Sequence, residues 1–164
     1  NESDWLGDGV YFFQDAPYRA QEWPAVRLPT PKRVNNPVVL VARLHLTGCL
    51  DLLDIEAAKS IARWYPGLKA DYRRAGLRLP RNKGGRRLLD RTLINYAVGK
   101  LEKAGKRVNT VRAAFKEANP IVPGSQLYYR AHVQIVVRPF RMGVIKRVWL
   151  HVFSEVEGGS NGHQ

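Results

Sequence analysis

The chain has 164 residues and a formal net charge of +13, with 27 lysines and arginines against 14 aspartates and glutamates. This length suits one domain with a sizeable core, and we expect a single domain over 1–153 and a flexible polar tail over 154–164. The single cysteine, Cys49, excludes an internal disulfide framework and a cysteine-based zinc site, and it fits a reducing cytoplasm. No apolar run approaches the length of a membrane span, so no membrane partner is expected.

The first predicted element is a glycine-lined segment that leads into a strand, Leu6-Gly7-Asp8-Gly9-Val10-Tyr11-Phe12-Phe13. Gly7 and Gly9 let the backbone bend and approach a ligand without interference from a Cβ atom. Tyr11 opens the strand, where its ring is suited to stacking on a flat ligand. Packing of Tyr11 and Phe13 into a core explains the same residues equally well. A short helix is expected next, over 16–23.

The following part of the chain predicts a loop, a strand and two helices. Prolines 24, 29, 31 and 37 indicate an exposed loop. The apolar run from Val38 to Leu46 predicts a strand that is apolar enough at its start for a central place in a sheet. After a short turn over 49–54, Asp54 caps a helix that we expect to end near residue 62, and a second, basic helix is expected over 68–75.

Residues 79–85 form a loop by composition, and its two glycines raise the question of a phosphate cradle. A flexible connector is the favoured reading, because the loop lacks the Gly-Lys-Ser ending of a P-loop and follows a helix. Apolar positions at helical spacing over 86–103 predict a helix with one buried stripe and one basic face, which Gly105 ends. A strand-to-loop stretch is then expected over 107–120.

Positive charge is concentrated between Lys69 and Arg107, with few acidic residues in between. Such a block attracts polyanions and predicts salt-sensitive binding of nucleic acid. A solvated helical face with no nucleic-acid partner is the alternative. The candidate nucleic-acid contacts are Arg73, Arg74, Arg86 and Arg87.

Two more strands are predicted near the other end, over 129–139 and 144–150, joined by a turn. Together with residues 6–13 they resemble the NAD-dependent ADP-ribosyltransferases related to poly(ADP-ribose) polymerases and diphtheria toxin. The first segment resembles the Gly-x-Gly-Ile-Tyr-Phe strand and following helix of that family. The second resembles its last motif, in which a strand with a pattern like Glu-Tyr-x-Val-Tyr precedes a turn and a hydrophobic, basic strand. Gln134 stands at the position of the catalytic glutamate.

This resemblance implies an α+β fold with a split, mixed β-sheet and flanking helices, and NAD as the substrate. It implies that Tyr11 stacks on nicotinamide and that Gly9 allows close backbone approach. Trp23 is placed near the second aromatic residue of the family, although it could equally belong to the core. Gln134 would face the ribose 2′-hydroxyl.

The chain departs from the family pattern in two ways. Gln134 can exchange hydrogen bonds with a ribose hydroxyl but brings no negative charge to an oxocarbenium-like transition state. Members of the family that carry a neutral residue there transfer a single ADP-ribose unit or are inactive, so the resemblance implies that no polymer is formed. The His-Gly-Ser or His-Gly-Thr motif that holds NAD in the family is absent from this sequence, and we expect that the corresponding N-terminal strand and helix are either removed in a fragment of a longer protein or supplied by another piece. His45 and His132 lie in strand-like runs and are better explained as packed or surface residues.

In the family the segment before the catalytic strand helps to choose the acceptor, and this makes Arg112, Phe115, Lys116 and Asn119 candidate substrate contacts. The sequence therefore predicts a mono-ADP-ribosyltransferase, a bacterial toxin or defence effector, that modifies nucleic acid or a nucleic-acid-bound protein. An acidic antitoxin or immunity protein would complement its charge. The alternative is a catalytically silent module of the same fold that binds RNA or DNA. No metal is expected, since the four histidines have no metal-ligand spacing.

Overall fold

The structure is a computed structural model that describes residues 5–27 and 36–153, without the side chains of residues 25–27. The helices and strands in chain order are β1 (Val10–Gln14), α1 (Pro17–Arg27), β2 (Leu40–Leu44), β3 (Cys49–Asp51), α2 (Ile55–Arg74), α3 (Leu88–Lys103), β4 (Thr110–Pro120), β5 (Tyr128–Val137) and β6 (Ile145–Leu150). A single 3₁₀ turn, Met142–Val144, precedes β6.

The strands form two sheets, one of four strands in the order β1-β5-β4-β3 and one of two strands, β2 and β6. Strand β5 lies between β1 and β4 and is antiparallel to both, whereas β3 is parallel to β4. The larger sheet is therefore mixed, with parallel and antiparallel strand pairs, and helices pack against it. The expected α+β class is confirmed at this level.

The core lies on one face of the four-stranded sheet. Residues that pair directly on neighbouring strands share a face, and Val136 of β5 pairs with Tyr11 on one side and Val111 on the other. This face packs against α2 and α3. Its cluster of buried apolar side chains includes Leu50, Ile61, Ile94, Ala97, Val98, Val111, Ala113 and Val136.

The segment before β1 is fixed to α3. Leu6 is 2% exposed and belongs to the core. Asp8 accepts a 2.6 Å hydrogen bond from Arg91, and this hydrogen bond holds the pKa of the Asp8 carboxyl below its usual range. Gly7 has a φ of +87°, and a Cβ atom there would lie 2.5 Å from Oδ1 of Asn95. Glycine at position 7 is thus required by close packing on α3 as well as by its backbone conformation.

Several predicted elements are confirmed. The apolar stripe predicted over 86–103 corresponds to α3, and Gly105 follows it with a φ of +76°. Asp54 caps α2 through a 2.9 Å hydrogen bond from the backbone N–H of Glu56. The predicted strands over 129–139 and 144–150 are β5 and β6.

Two predicted helix ends were wrong, one at residue 23, just before Pro24, and one near residue 62. Helix α1 continues through Pro24 to Arg27, and α2 is one helix of 20 residues that passes through Pro66. A proline inside a helix removes one backbone hydrogen bond, but burial of the other residues can outweigh that loss. In α2 that burial is provided by Ile61 and Leu68, which lie on either side of Pro66.

Three strand predictions also needed correction. The run from Val38 forms β2 in the two-stranded sheet, where Leu40 is 61% exposed, so it is not a central strand. The expected turn after Gly48 contains β3, which pairs with β4. The expected strand-to-loop stretch is a continuous strand, β4, because it is paired along most of its length with β5. Most of the predicted proline-rich loop, and the predicted flexible tail, lie outside the described residues.

Candidate functional site

The pairing of β1 with β5 brings the two predicted catalytic residues to one face of the sheet. Phe13 pairs with Gln134, and Tyr11 pairs with Val136. Alternate residues of a strand share a face, so Tyr11, Phe13, Gln134 and Val136 all lie on the face that holds the core. Tyr11 and Gln134 are thus diagonal neighbours across the β1–β5 pair.

Tyr11 is half-buried and packs against the hydrophobic core. Its hydroxyl accepts a 2.8 Å hydrogen bond from the backbone N–H of Leu6 and donates one of 2.8 Å to the carbonyl of Gly7. The side chain therefore fixes the path of the glycine-lined segment that precedes β1.

Gln134 is 5% exposed, and its amide Nε2 lies 2.8 Å from Nε2 of His132, which is also buried. With the amide as donor, the imidazole accepts at Nε2 and is neutral, with its proton on Nδ1. Burial lowers the pKa of His132, the nearby Glu117 carboxylate raises it, and the Arg19 guanidinium lowers it further. The net lowering agrees with a neutral ring facing the amide.

Aromatic rings surround this pair. The ring of Phe13 meets His132 edge to face at 5.0 Å between centroids, and it meets Trp23 in the same way at 5.5 Å. The Arg19 guanidinium lies 5.2 Å from the Phe13 ring centre and 5.3 Å from that of Trp23. We call Phe13, Arg19, Trp23, His132 and Gln134 the β5 cluster. Trp23, predicted near the nicotinamide, is linked to Gln134 through Phe13.

Gly9 lies directly against β5. Its φ is +152°, and a Cβ atom at this position would lie 2.1 Å from the carbonyl oxygen of Val137 and 2.6 Å from Cγ2 of Val136. Because Gly9 has no side chain, the start of β1 packs directly against the backbone of β5.

The four predicted acceptor contacts do not form one surface, because strand β4 directs alternate side chains to opposite faces. Arg112 donates to Gln14 at 2.9 Å and to Asp51 at 3.0 Å on the face away from Gln134. Phe115 lies on the Gln134 face, where its ring is 4.5 Å from that of Trp5. The remaining two residues, Lys116 and Asn119, are exposed near the far end of β4.

The four predicted nucleic-acid contacts occupy two places in the chain. Arg73 and Arg74 lie exposed in the last turn of α2, where Arg74 forms an ion pair with Asp71. Arg86 is exposed just before α3. Arg87 is half-buried, with its guanidinium 5.0 Å from the ring centre of Trp5.

A buried ion pair was missed by the sequence reasoning. Nη2 of Arg19 donates to Oε2 of Glu117 at 2.6 Å, and both side chains are largely buried. The two residues are 98 positions apart. No local pattern could have linked them, because α1 and β4 meet only when β1 and β5 pair.

Within residues 5–27 and 36–153, no group of three or more histidine, cysteine, aspartate or glutamate side chains is placed to hold a metal ion. None of the described helices is long and apolar enough to cross a membrane. Comparison with protein-family models, with curated proteins and with solved structures finds no match to the chain.

Proposed function

We propose that the protein is a mono-ADP-ribosyltransferase that cleaves NAD and transfers ADP-ribose to a macromolecular acceptor, nucleic acid or protein. The observation that carries the proposal is the register of β1 and β5, which puts Tyr11 and Gln134 on one sheet face as diagonal neighbours. Diagonal neighbours in an antiparallel pair are about 7–8 Å apart, which long side chains span. The glycine segment, the tyrosine strand and the glutamine strand are thus adjacent in space, in keeping with the sequence resemblance. The two separate sheets agree with the split-sheet arrangement that the resemblance implies.

The proposed reaction breaks the bond between the nicotinamide nitrogen and C1′ of the ribose. Nicotinamide leaves with the bonding electron pair, and C1′ becomes oxocarbenium-like until an acceptor nucleophile bonds to it and loses its proton. Tyr11 would stack on the nicotinamide ring. The Gln134 amide would hold the ribose 2′-hydroxyl without adding negative charge. The oxocarbenium-like C1′ would therefore be stabilised less than it is by a carboxylate. The sequence resemblance associates a neutral residue at this position with transfer of single units.

Substrate binding in this scheme requires Gln134 to exchange a partner. Its amide now contacts Nε2 of His132. A ribose hydroxyl that takes this place would receive the same amide hydrogen bond, and His132 would hold the amide in position until then. Phe13 and Trp23 would exclude water from that side of the ribose.

The net charge of +13 supports an acceptor that is nucleic acid or a protein bound to nucleic acid. We infer a toxin or defence effector that acts in the cytoplasm. A neutralising antitoxin or immunity protein with an acidic surface would match this charge.

The proposal is tested by the transfer of label from adenine-labelled NAD to RNA, DNA and protein. Tyr11→Ala and Gln134→Ala should each abolish the transfer. Gln126→Ala is the matched control, because Gln126 is exposed in the connection between β4 and β5. Tyr11→Phe separates stacking from hydrogen bonding: it keeps the ring, and should keep activity, while it loses the contacts to Leu6 and Gly7. Activity retained in both alanine variants would refute the site.

A second candidate function is a catalytically silent module that binds RNA or DNA. It is favoured by the contacts already made within the protein, since the Tyr11 hydroxyl and the Gln134 amide both have protein partners. Such a module would bind nucleic acid in a salt-dependent way and release no nicotinamide from NAD. Loss of binding on charge reversal at Arg73, Arg74 and Arg86, with no effect of Gln134→Ala on any activity, would identify it.

A further inference from the structure

A cleft of about 410 Å³ opens beside the β5 cluster, where the end of β4 meets the start of β5 and the loop before α3. Its volume is within the range of small-molecule sites, about 300–1,000 Å³. Its charged and aromatic lining consists of Trp5, Arg19, Arg87, Lys116, Glu117 and Arg130. Only two of these residues, Arg87 and Lys116, were predicted from the sequence to bind anything.

Arg19 is the buried base of this cleft. Its side chain is 7% exposed, and its Nη2 donates to Glu117. Its Nε and Nη1 atoms are buried and have no hydrogen-bond partner, and the Glu22 carboxylate is 3.9 Å from Nη1. Buried guanidinium N–H groups are costly when they are left unpaired. Both atoms are shielded from the cleft, so Arg19 contributes its positive charge to the base of the cleft, while Arg87, Lys116 and Arg130 line it with more exposed side chains.

The charge of the lining determines what kind of ligand fits. Four cationic side chains meet there with one carboxylate, Glu117, which already accepts from Arg19. Two of the cations are oriented by aromatic rings: Nζ of Lys116 lies 4.2 Å from the ring centre of Tyr128, and Arg87 lies over Trp5. Arg130 is within 3.2 Å of Glu22. The excess of positive charge selects an anion, and the guanidinium fork matches the oxygens of a phosphate group.

We propose that this cleft binds the phosphate or pyrophosphate group of a nucleotide-containing ligand, with Arg87, Lys116 and Arg130 as its contacts and Arg19 as a buried positive charge at its base. The ligand is either the pyrophosphate of a free nucleoside diphosphate sugar such as ADP-ribose or the backbone of a nucleic-acid strand, which share phosphate chemistry. The assignment does not depend on transferase activity, because it is tested by binding alone.

The test measures the binding of four probes to the whole chain, by calorimetry and by the shift of the thermal unfolding midpoint. Inorganic pyrophosphate reports the anion site, ADP-ribose and a short 5′-phosphorylated oligonucleotide distinguish the two sources, and adenosine is the phosphate-free control. Pyrophosphate and one of the two larger probes should bind and raise the unfolding midpoint, whereas adenosine should not.

Arg19→Gln should weaken this binding about tenfold, because it removes a buried positive charge from the lining of the cleft. Because Arg19 is buried and could be needed for folding, Lys116→Gln and Arg130→Gln provide a second, more exposed pair that should each weaken binding in the same direction. Arg63→Gln is the matched control, since Arg63 is exposed on α2 outside the cleft. The proposal is overturned if no phosphate probe binds, or if Arg63→Gln weakens binding as much as the cleft variants.

Discussion

At the scale of single residues, the contact between Gln134 and His132 decides how the candidate site is organised. Gln134 is buried at the position that the sequence resemblance aligns with a catalytic glutamate, and its amide N–H is a suitable donor to Nε2 of a neutral imidazole. A buried carboxylate there would favour protonation of His132 and form an ion pair with it. The neutral amide and the neutral ring are therefore mutually dependent.

The lowered pKa of His132 predicts how stability depends on pH. Below pH 6.5, the ordinary value for this side chain, the unfolded chain takes up a proton that the folded chain does not. The stabilising contribution is thus present above pH 6.5 and is lost as the pH falls through the lower folded pKa. Urea unfolding at a series of pH values should show this decline.

His132→Asn should remove that part of the pH dependence, because the titrating ring is gone. His45→Asn is the control, since His45 is exposed and distant in the chain from the β5 cluster, and it should keep the decline of the parent protein. An identical slope in the two variants would contradict a buried neutral His132.

Gly9 gives a second prediction at the residue scale. Gly9→Ala should lower the free energy of unfolding by about 1–3 kcal/mol or more, because its Cβ would overlap the Val137 carbonyl. Gly76→Ala is the matched control: Gly76 also has a positive φ, +67°, but a Cβ there meets nothing within 4 Å. Urea unfolding of both variants separates steric overlap from backbone strain. Equal losses of unfolding free energy in the two variants would show that a Cβ atom at position 9 does not overlap β5 as described.

At the scale of helices and strands, the sequence predicted elements well where one face is regularly apolar and poorly where tertiary contacts decide. The apolar stripe of α3 is such a local pattern, and that helix was predicted from it, whereas β5 was predicted from the segment that resembles the last motif of the family. The prolines of α1 and α2 were overruled by packing of the rest of each helix. The end of β4 was predicted to be a loop. It is a strand because it pairs with β5, and no local sequence pattern indicates that pairing.

The candidate site was predictable only in part for the same reason. Tyr11 and Gln134 were found through motifs within single strands. The Arg19–Glu117 ion pair and the phosphate cleft join α1, β4 and β5, so they depend on contacts between residues far apart in the sequence. The predicted acceptor contacts of β4 were chosen because they precede the proposed catalytic strand, and the pairing of β4 with β5 places Arg112 and Phe115 on opposite faces of the sheet.

The continuity of α2 through Pro66 can be tested directly. Pro66 is exposed, so Pro66→Ala restores a backbone N–H donor without removing a buried contact, and it should raise the free energy of unfolding by about 1–3 kcal/mol. Pro123→Ala is the control in an exposed turn, where the lost restriction of φ should leave stability unchanged or slightly lower. No gain from Pro66→Ala would indicate a break in α2 at that point.

At the scale of the whole molecule, the net charge of +13 is the property most directly linked to a polyanionic partner. Replacing the exposed Arg73, Arg74 and Arg86 by glutamate should weaken binding to RNA or DNA. It should also reduce the slope of log affinity against log salt by about one for each arginine that contacts a phosphate. Fluorescence anisotropy over a salt series measures both effects.

The control for this prediction carries the same change in net charge at another place. Arg43, Lys146 and Arg147 are exposed on β2 and β6, in the two-stranded sheet. Their replacement by glutamate should weaken binding less. If the two triple variants bind equally, the interaction follows total charge and not a surface at the end of α2 and the start of α3.

The central claim is that Tyr11 and Gln134 form an NAD-cleaving site, and the most direct measurement is nicotinamide release from NAD by the protein and its variants. We expect the parent protein to release nicotinamide in the presence of acceptor, and Gln126→Ala to release it at the same rate. In Gln134→Ala we expect the rate of nicotinamide release to fall about 100-fold or more, which is comparable to the loss of one transition-state hydrogen-bond donor. Equal release by the parent and Gln134→Ala would contradict the claim, and so would no release with RNA, DNA and protein acceptors from both the parent and a form extended upstream to its native start.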